Sequence, residues 1–365
     1  MAKPIVKPVY TTKEERLAAL KRAARSTNTK LGMDCVTMAD DLPDMKRAST
    51  GVPEIDKFIG GGIPYGSVTV IWGGQGAGKT TFGLNVAKKA QDEGKLVAWI
   101  ALEPFPKDRA KLFGINLEEM PVIQCPQAEQ SLDIIIDYAR NKLVDVIILD
   151  SIHSLAPKGI QENSKGDKSL SDDTMAVLAR KLSDFFKIAI DPIKRSEMAL
   201  LLIGQTRIKL GFIAIDDLTG GNALKHNSRL TIHIRRGAKD DSPTKKSKDS
   251  EGKTIEDIIG FPVVLKLDKV QVNGCQKEGT VLNIPYYYES GFDLPADLKQ
   301  VVAQEEAEIE AQKAPEATEE EITRAESDNT EKDEPSPIIA QPEPIKKRGR
   351  KPGSKNKVKE VLNDK

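Results

Sequence analysis

Three features are scarce in this 365-residue chain, and each scarcity excludes a class of protein. Its three cysteines, Cys35, Cys125 and Cys275, lie far apart and match no metal-ligand spacing, which predicts reduced thiols rather than a disulfide framework. No apolar run approaches the roughly 20 residues that a membrane-spanning helix needs. The N-terminus has no apolar core of the kind that signal peptides carry. These absences predict a cytosolic protein that has no membrane partner.

The formal net charge of the chain is zero, but the opposite charges are segregated along the sequence. Residues 299–345 hold 14 Asp and Glu against 4 Lys and Arg, a net charge of −10. Residues 346–359 hold 8 Lys and Arg and no acid. The part before 299 is therefore mildly basic, and the tail is electrostatically separate from it. No periodic apolar pattern returns beyond about residue 300, which predicts a disordered C-terminal tail.

The body of the chain alternates between strand and helix patterns. Four of the strand candidates are nearly continuous apolar runs, as expected for central strands that are buried on both faces. Helical patterns at 80–91 and 175–190 separate them. This alternation predicts an α/β fold around a central, mostly parallel sheet. The strand candidates are 68–72, 95–102, 144–150, 199–205, 229–236 and 263–270.

Two segments stand outside this alternation. Residues 11–25 predict a short helical arm, because Thr12 and Glu15 have the spacing of a capping box. Its apolar stripe is narrow, so the helix could pack on the body or reach a neighbouring subunit. Residues 238–257 are polar and contain no aromatic side chain, which predicts a mobile connection.

A glycine-rich turn follows the strand at 68–72 and opens a helix. Its sequence GGQGAGKTT fits the pattern G-x-x-x-x-G-K-[ST] in the strand–turn–helix context that this motif requires. Backbone N–H groups of such a turn wrap phosphates, and the helix N-terminus adds its positive end. We expect ATP and Mg²⁺ here, with Lys79 on the β- and γ-phosphates and Thr80 on the metal. The expected cofactor-binding residues are Gly73, Gly74, Gln75, Gly76, Ala77, Gly78, Lys79, Thr80 and Thr81.

Three polar residues at strand ends complete the predicted site. Asp150 ends its strand where it can hold Mg²⁺ through water. Ser151 follows it, where many ATPases of this type place a glutamate, so we expect Glu103 to orient the attacking water if its strand adjoins the glycine-rich turn's strand. A solvated strand end or a surface ion pair is the alternative for Glu103. Gln205 is placed to sense the γ-phosphate and signal to the loop that follows, although a plain polar strand end has the same appearance.

Five stretches together resemble the RecA recombinases, in the same order and with similar spacing. They lie within residues 49–270, and the segment around His226 is similar to the archaeal and eukaryotic members. The resemblance implies an ATP-dependent DNA recombinase that forms helical filaments on single-stranded DNA and promotes strand exchange in recombination and repair. It also implies DNA-stimulated ATP hydrolysis, in which Lys79, Glu103 and Gln205 take part. The stretches are 49–66, 73–81, 144–158, 200–211 and 219–236.

The resemblance further implies two DNA-binding loops, a first loop over 159–173 and a second loop over 206–221. Cations supply affinity that is independent of sequence and sensitive to salt, and an inserted apolar side chain holds bases apart without reading them. An ordinary amphipathic edge strand is the alternative for 207–215. The implied DNA-binding residues are Met175, Arg180, Arg207, Lys209, Leu210, Gly220, Gly221, Asn222 and Lys225.

Two features depart from the family pattern. In bacterial relatives, two lysines one residue apart reach the neighbouring subunit's ATP. Here Lys269 matches one of them and Leu267 stands at the other position, where Lys266 could substitute by its reach. The C-terminal globular domain of the bacterial proteins has no counterpart, which suggests a divergent member that a phage could encode and that would work in the host cytoplasm or nucleoid.

The basic tail offers a substitute for that domain. Residues 346–357 resemble an AT-hook, in which Arg348 and Arg350 would point into the minor groove of double-stranded DNA. A generic basic tail explains the same residues equally well. The expected organisation is an N-terminal oligomerisation arm over 1–48, a RecA-like ATPase core over 49–298, an acidic disordered linker over 299–345 and a basic tail over 346–365.

Two other functions remain open at this stage. A ring-forming motor, such as a replicative helicase or a clock-type ATPase, shares the same fold but usually carries an arginine finger near its last core strands. A non-catalytic mediator would bind DNA and a host recombinase. The expected partners are single- and double-stranded DNA, further copies of the chain, and single-strand-binding or mediator proteins.

Overall fold

The computed structural model describes most of the first 300 residues of the chain. The described residues are 10–42, 44–125, 127–155, 170–209, 215–218, 221–248, 254–293, 295 and 299–300. Within them, the backbone alone is described at 170–176, 207–209, 215–217, 221 and 248.

Thirteen strands are assigned in these ranges. They are β1 (Arg47–Ala48), β2 (Ile63–Pro64), β3 (Ser67–Gly73), β4 (Val97–Ala101), β5 (Val122–Ile123), β6 (Val146–Asp150), β7 (Ala199–Lys209), β8 (Ile215–Leu218), β9 (Ser228–Arg236), β10 (Thr244–Lys248), β11 (Thr254–Ile258), β12 (Gly260–Val270) and β13 (Val281–Tyr287).

Seven α-helices accompany them in the described part of the chain. They are α1 (Lys13–Leu31), α2 (Pro53–Phe58), α3 (Lys79–Asp92), α4 (Lys107–Leu112), α5 (Ala128–Asn141), α6 (Leu170–Ser196) and α7 (Gly221–Asn227).

The main sheet has nine strands in the order β13-β12-β9-β3-β7-β6-β4-β5, with β8 paired to β7 beside this path. The six strands from β9 to β5 run parallel to their neighbours, and β12 and β13 add an antiparallel edge. The predicted α/β fold with a mostly parallel sheet is therefore confirmed. Parallel strands end at a common edge, so Gly73, Asp150 and Gln205 lie on adjacent strands at one side of the sheet.

Helices cover both faces of the sheet, because successive side chains of a strand point to opposite faces. On one face Ile71 and Ile148 pack with Phe82 of α3. On the other face Val70 and Ile147 belong to a second core, to which α5 and α6 contribute. The continuous apolar runs in the sequence are explained by this burial on both sides.

The arm α1 extends further than the sequence indicated, from Lys13 to Leu31 instead of ending at 25. Both hydrogen bonds of the capping box at Thr12 and Glu15 are present, as their spacing predicted. Of the apolar stripe, only Ala24 is buried, while Leu17 and Leu20 remain exposed. The stripe therefore leaves an apolar surface uncovered within the chain.

The segment predicted to be a mobile connection over 238–257 instead contains a hairpin of β10 and β11. All described side chains of this hairpin are exposed or only partly buried, so its strands have no apolar face. Cross-strand polar pairs accompany the backbone ladder, with Ser247 Oγ donating to Asp257 at 2.7 Å. A hairpin of this kind shows no hydrophobic period, and this explains why the prediction was wrong.

Among the described residues, no helix has the length and apolarity needed to cross a bilayer.

Candidate active site

The glycine-rich turn connects β3 to α3 and brings the chain into contacts that few other residues allow. A Cβ added at Gly73 would lie 1.8 Å from the backbone oxygen of Ile234 on the neighbouring strand β9. Gly78 caps α3 with a φ of 99°, which is a left-handed conformation that favours glycine. The turn therefore needs glycine at these two positions for packing and for backbone conformation respectively.

Lys79, the first residue of α3, folds back over the turn. Its Nζ donates to the carbonyl oxygens of Gly73 at 3.0 Å and Gly74 at 2.7 Å. Burial lowers the pKa of this ammonium, although the charges of Asp150 and Glu103 act in the opposite direction. A buried cation whose hydrogen bonds in the described structure go to carbonyl oxygens is well placed to bind an anion.

Thr80 and Asp150 meet at the end of β6. The hydroxyl of Thr80 donates to Oδ2 of Asp150 at 2.8 Å, as a shared role at one metal site requires. Asp150 is only 5% exposed. Burial raises the pKa of its carboxyl to about 6, and the nearby charge of Glu103 adds to the rise, while the Thr80 hydrogen bond and Lys79 oppose it. A divalent cation bound here would stabilise the ionised form of this carboxylate.

Glu103 also lies beside Asp150, although the sequence did not indicate the strand order that brings it there. Its strand β4 does not adjoin β3, because β7 and β6 lie between them. The condition under which Glu103 was predicted to reach the site, that these two strands adjoin, is therefore not met. The chain instead turns over the end of β6, where the backbone N–H groups of Leu102 and Glu103 donate to the oxygen of Asp150.

The Glu103 carboxylate is held by two side chains. Ser151 Oγ donates to Oε1 at 2.5 Å, and Gln205 Nε2 donates to the same oxygen at 2.9 Å. Gln205 is paired with Gly73 in the sheet register, so its side chain lies beside the glycine-rich turn. The structure thus brings Lys79, Glu103 and Gln205 into a single cleft.

One wall of this cleft consists of arginine and aromatic side chains that sequence reasoning missed. The Arg236 guanidinium lies 4.1 Å from the centre of the Phe261 ring, and its Nε donates to Gly76 O at 3.0 Å. Phe261 stacks on Tyr286, whose hydroxyl accepts a hydrogen bond from Arg109 at 2.6 Å. The sequence offered one indication that Arg236 lies at the site, which is its position at the carboxyl end of a parallel strand. It offered no such indication for Arg109 and Tyr286.

The cleft suits a nucleoside triphosphate. Its volume is about 350 Å³, which is in the range of small-ligand sites. Within the described structure, the buried Nε of Arg109 has no hydrogen-bond partner. The turn and Lys79 could hold phosphates, Thr80 and Asp150 could hold a metal ion, and the aromatic rings could pack against a base.

The strand that carries Gln205 continues beyond the predicted end at residue 205. β7 runs to Lys209 and pairs antiparallel with β8, so Thr206 faces Leu218 and Lys209 faces Ile215. The predicted second loop is thus a strand pair over part of its length, because the backbone finds hydrogen-bond partners where the side chains turn polar. Among its predicted DNA contacts, Arg207 and Lys209 have only their backbone described.

The remaining predicted DNA contacts are distributed over α6 and α7. Met175 lies in α6, which already begins at Leu170, so the end of the predicted first loop is helical; its side chain is not described. Arg180 is exposed on the same helix. Gly221 is the first residue of α7, and Asn222 and Lys225 are exposed on it. The residues that lie outside the described part of the chain are Leu210, Gly220, Arg348 and Arg350.

Lys266 and Lys269 do not approach the chain's own nucleotide cleft. They line another cavity, together with Trp72 and His233, whose rings stack at 4.1 Å. Lys269 Nζ donates to the oxygens of Lys225 at 2.5 Å and His226 at 3.0 Å at the end of α7, and burial lowers the pKa of its ammonium.

The β12 backbone explains why position 267, between Lys266 and Lys269, does not suit a cation. The register with β9 shifts between Leu267 and Lys269. Leu267 lies before this shift, in alternation with Val263 and Leu265, and is completely buried as they are. Lys266, in contrast, forms an ion pair with Asp268 at 3.0 Å. A cation at Leu267 would therefore point into the core.

Comparison with known proteins agrees with this geometry. Residues 18–275 match the family model of the RecA N-terminal domain. The chain is 34% identical over 233 residues to Protein RecA of Colwellia psychrerythraea, covering 61% of this chain and 65% of that protein. It is 32% identical over 259 residues to Protein RecA of Marinobacter nauticus, covering 68% and 72% respectively. The matched part thus spans about two thirds of the length of these relatives. The glycine-rich turn, the strand order and the match over most of the described residues show that this chain belongs to the RecA family.

Proposed function

We propose that this chain is an ATP-dependent DNA recombinase that forms helical filaments on single-stranded DNA and promotes homologous pairing and strand exchange. One observation carries the proposal. The strand β7 holds Gln205 against Glu103 in the nucleotide cleft and continues without a break to Arg207 and Lys209. The same strand thus serves the cleft and the basic segment, which is the connection that a nucleotide-controlled DNA grip needs.

ATP binds with its phosphates in the turn from Gly73 to Thr81. Backbone N–H groups and Lys79 hold the β- and γ-phosphates, and Lys79 exchanges the carbonyls of Gly73 and Gly74 for phosphate oxygens. Thr80 and Asp150 would hold Mg²⁺, which neutralises the charge that develops on the phosphate oxygens.

Glu103 acts on the attacking water. The water oxygen bonds to the γ-phosphorus as the bond to the β–γ bridging oxygen breaks, and the electron pair of that bond leaves with ADP. Glu103 accepts the proton that the water loses and returns it to solvent, which leaves inorganic phosphate as the second product. Its carboxylate is suited to this because Oε1 is fixed by two donors, so the orientation of the group is set before ATP binds.

Gln205 reports the presence of the γ-phosphate. Its amide donates to Glu103, and a γ-phosphate provides a competing anionic acceptor. Movement of the amide alters the end of β7 and hence its pairing with β8. The second loop then takes a form that grips DNA, and hydrolysis reverses the change.

DNA is bound without reading its sequence. Arg207, Lys209, Arg180 and Lys225 contact phosphates, and Leu210 and Met175 separate neighbouring bases. Glycine and asparagine at 220–222 allow the backbone to approach the strand closely. Arg348 and Arg350 in the basic tail attract duplex DNA.

Subunits assemble head to tail with ATP between them. The exposed Leu17 and Leu20 of the arm pack on a neighbour, and Lys266 and Lys269 approach the neighbour's ATP from the cavity that they line. A heterologous interface of this kind gives a helical filament when its rotation does not close into a ring.

The conformation of Arg236 removes one candidate for the arginine finger of a ring-forming motor. An arginine finger must project toward the neighbour's nucleotide, whereas Arg236 lies over its own Phe261 and donates to its own Gly76. The two proposals are separated by electron microscopy with single-stranded DNA and a non-hydrolysable ATP analogue. Open filaments support the recombinase, and closed hexamers contradict it.

Strand exchange itself is tested with a joint-molecule assay. Single-stranded DNA, the protein and ATP are mixed with a homologous or a heterologous duplex. The proposal predicts joint molecules only with the homologous duplex and only with ATP, and loss of the product in Lys79→Ala. Joint molecules with both duplexes, or with neither while ATP is hydrolysed, would contradict it.

A further inference from the structure

Ser151 is one of the two donors that fix Glu103, and the proposed function gives it no task of its own once Gln205 has moved to the γ-phosphate. It follows Asp150 directly, at the start of the turn Ile152–Ser154, and is only 1% exposed. Its backbone oxygen accepts a hydrogen bond from the N–H of Ser154 at 3.0 Å. The backbone of this residue is thus fixed by the turn, and its hydroxyl has one acceptor among the described contacts, the Glu103 carboxylate.

The two residues that donate to Glu103 differ in their position in the sheet. Both Ser151 Oγ and Gln205 Nε2 donate to Oε1, and Glu103 lines the cleft. Gln205 sits on β7, which leads into the basic segment, whereas Ser151 sits on the buried end of β6. If Gln205 turns to a phosphate, as the proposed function requires, Ser151 is the donor that stays.

A glutamate without such a donor has three side-chain torsions to sample. Ordering a side chain of this length costs up to about 2 kcal/mol of conformational free energy. The backbone of Glu103 is anchored to Asp150 O, but that contact does not set the direction of the carboxylate. The direction depends on the hydrogen bonds at Oε1.

We propose that Ser151 is a positioning residue for ATP hydrolysis, and that it holds Glu103 toward the attacking water after Gln205 has moved to the γ-phosphate. The inference rests on the proposed function, since it needs Glu103 to act on water. It assigns to the serine after the metal-binding aspartate the task of keeping a distant carboxylate in place. The pair Ser151 and Glu103 thereby does the work that a glutamate in position 151 would do alone.

The test compares steady-state ATP hydrolysis and ATP binding in Ser151→Ala, with the full-length protein and single-stranded DNA. We expect kcat to fall about 10- to 100-fold because the carboxylate loses its orientation, while the Kd for ATP stays within about two-fold. Ser154→Ala removes a hydroxyl from the same turn, outside the Glu103 contacts, and should leave both values unchanged. An unchanged kcat in Ser151→Ala, or a loss matched by weaker ATP binding, would overturn the inference.

The Gln205 background provides a sharper criterion. Since Gln205 has left Glu103 when ATP is bound, Ser151→Ala should reduce hydrolysis by the same factor in Gln205→Met as in the wild type, and a double-mutant cycle measures the difference. A clearly larger loss in Gln205→Met would show that Gln205 still holds Glu103 during hydrolysis and would contradict the inference.

Two further variants keep the result interpretable. If Ser151→Ala does not fold, Ser151→Cys has nearly the same volume and a weaker donor, and its kcat should fall by a smaller factor; a Cys variant with full activity overturns the inference.

Glu103→Gln tests the proposed function separately. If it retains full turnover, the proposed role of Glu103 fails. If it loses turnover while Ser151→Ala does not, only the role of Ser151 fails.

Discussion

Gln205 donates from Nε2 to Oε1 of Glu103 at 2.9 Å, although the two residues are 102 positions apart in the chain. The contact joins β7 to the turn after β4 across the intervening strand β6. A residue suited to activating water and a residue suited to detecting a phosphate therefore touch each other. The predictions below follow from this contact and from the packing around it.

Replacing Glu103 by glutamine should slow ATP hydrolysis while leaving ATP binding nearly unchanged. Glu103→Gln keeps the size of the side chain and removes its ability to accept a proton, so kcat for ATP hydrolysis should fall about 100-fold or more. The Kd for ATP should change by less than about three-fold. Steady-state kinetics and nucleotide titration measure the two quantities, and Glu118→Gln, an exposed glutamate, is the control. Retention of full turnover would show that another group activates the water.

Asp150 should destabilise the ligand-free protein at neutral pH. Its pKa of about 6 lies above the unfolded value of 3.8, so ionisation costs folding free energy as the pH rises through this interval. Two pKa units correspond to about 3 kcal/mol. Asp150→Asn should therefore raise the free energy of unfolding by up to about 3 kcal/mol at pH 7.5, and by progressively less as the pH falls from 6 to 4.

The gain in the free energy of unfolding of Asp150→Asn is measured by denaturant unfolding in EDTA without nucleotide. Asp133→Asn, on the exposed side of α5, should show no such gain. Mg²⁺-dependent nucleotide binding should weaken in Asp150→Asn in spite of the added stability. A variant that is no more stable than wild type at pH 7.5 would contradict the account of the buried carboxyl.

Gly73 and Gly74 should respond differently to the same substitution. A Cβ at Gly73 would lie 1.8 Å from Ile234 O, whereas one at Gly74 would have no atom within 4 Å. Gly73→Ala should lower the free energy of unfolding by about 3 kcal/mol or more, because backbone must move. Gly74→Ala should remain within about 1 kcal/mol of the wild type. Equal stability of the two variants would refute the close approach of β3 and β9.

Arg207 and Lys209 should account for part of the salt dependence of DNA binding. Each phosphate contact contributes about 0.7 to the slope of log K against log salt concentration for single strands. Neutralising both residues should therefore reduce the slope by about 1.4. Lys46→Ala with Lys187→Ala removes two exposed cations elsewhere and should leave the slope unchanged. A slope that the Arg207 and Lys209 changes do not alter would remove these residues from the DNA contact.

The sequence predicted those features that depend on local pattern. The apolar runs that became β3, β4, β6 and β7 are recognisable because burial on both faces leaves few polar positions within them. The glycine-rich turn is recognisable because phosphate binding needs a fixed spacing of residue types. The capping box at Thr12 depends only on residues three positions apart.

Features set by distant contacts could not be predicted in this way. The order of parallel strands is not encoded in any one of them, so the contact between Glu103 and Gln205 could not be predicted. The β10–β11 hairpin buries no face and leaves no period in the sequence. β7 continues past Gln205 because β8 supplies hydrogen-bond partners from the other side of the loop. Arg109 and Tyr286 meet across 177 positions, and nothing near either residue marks the contact.

The central claim is that γ-phosphate binding reaches the DNA-binding segment through Gln205. The most direct test is the affinity for fluorescent single-stranded DNA with a non-hydrolysable ATP analogue and with ADP, in the wild type, in Gln205→Met and in the control Gln276→Met. We expect the analogue to tighten DNA binding at least 10-fold relative to ADP in the wild type and the control, and by less than about two-fold in Gln205→Met. An equal response in all three proteins, or no response in the wild type, would contradict the claim.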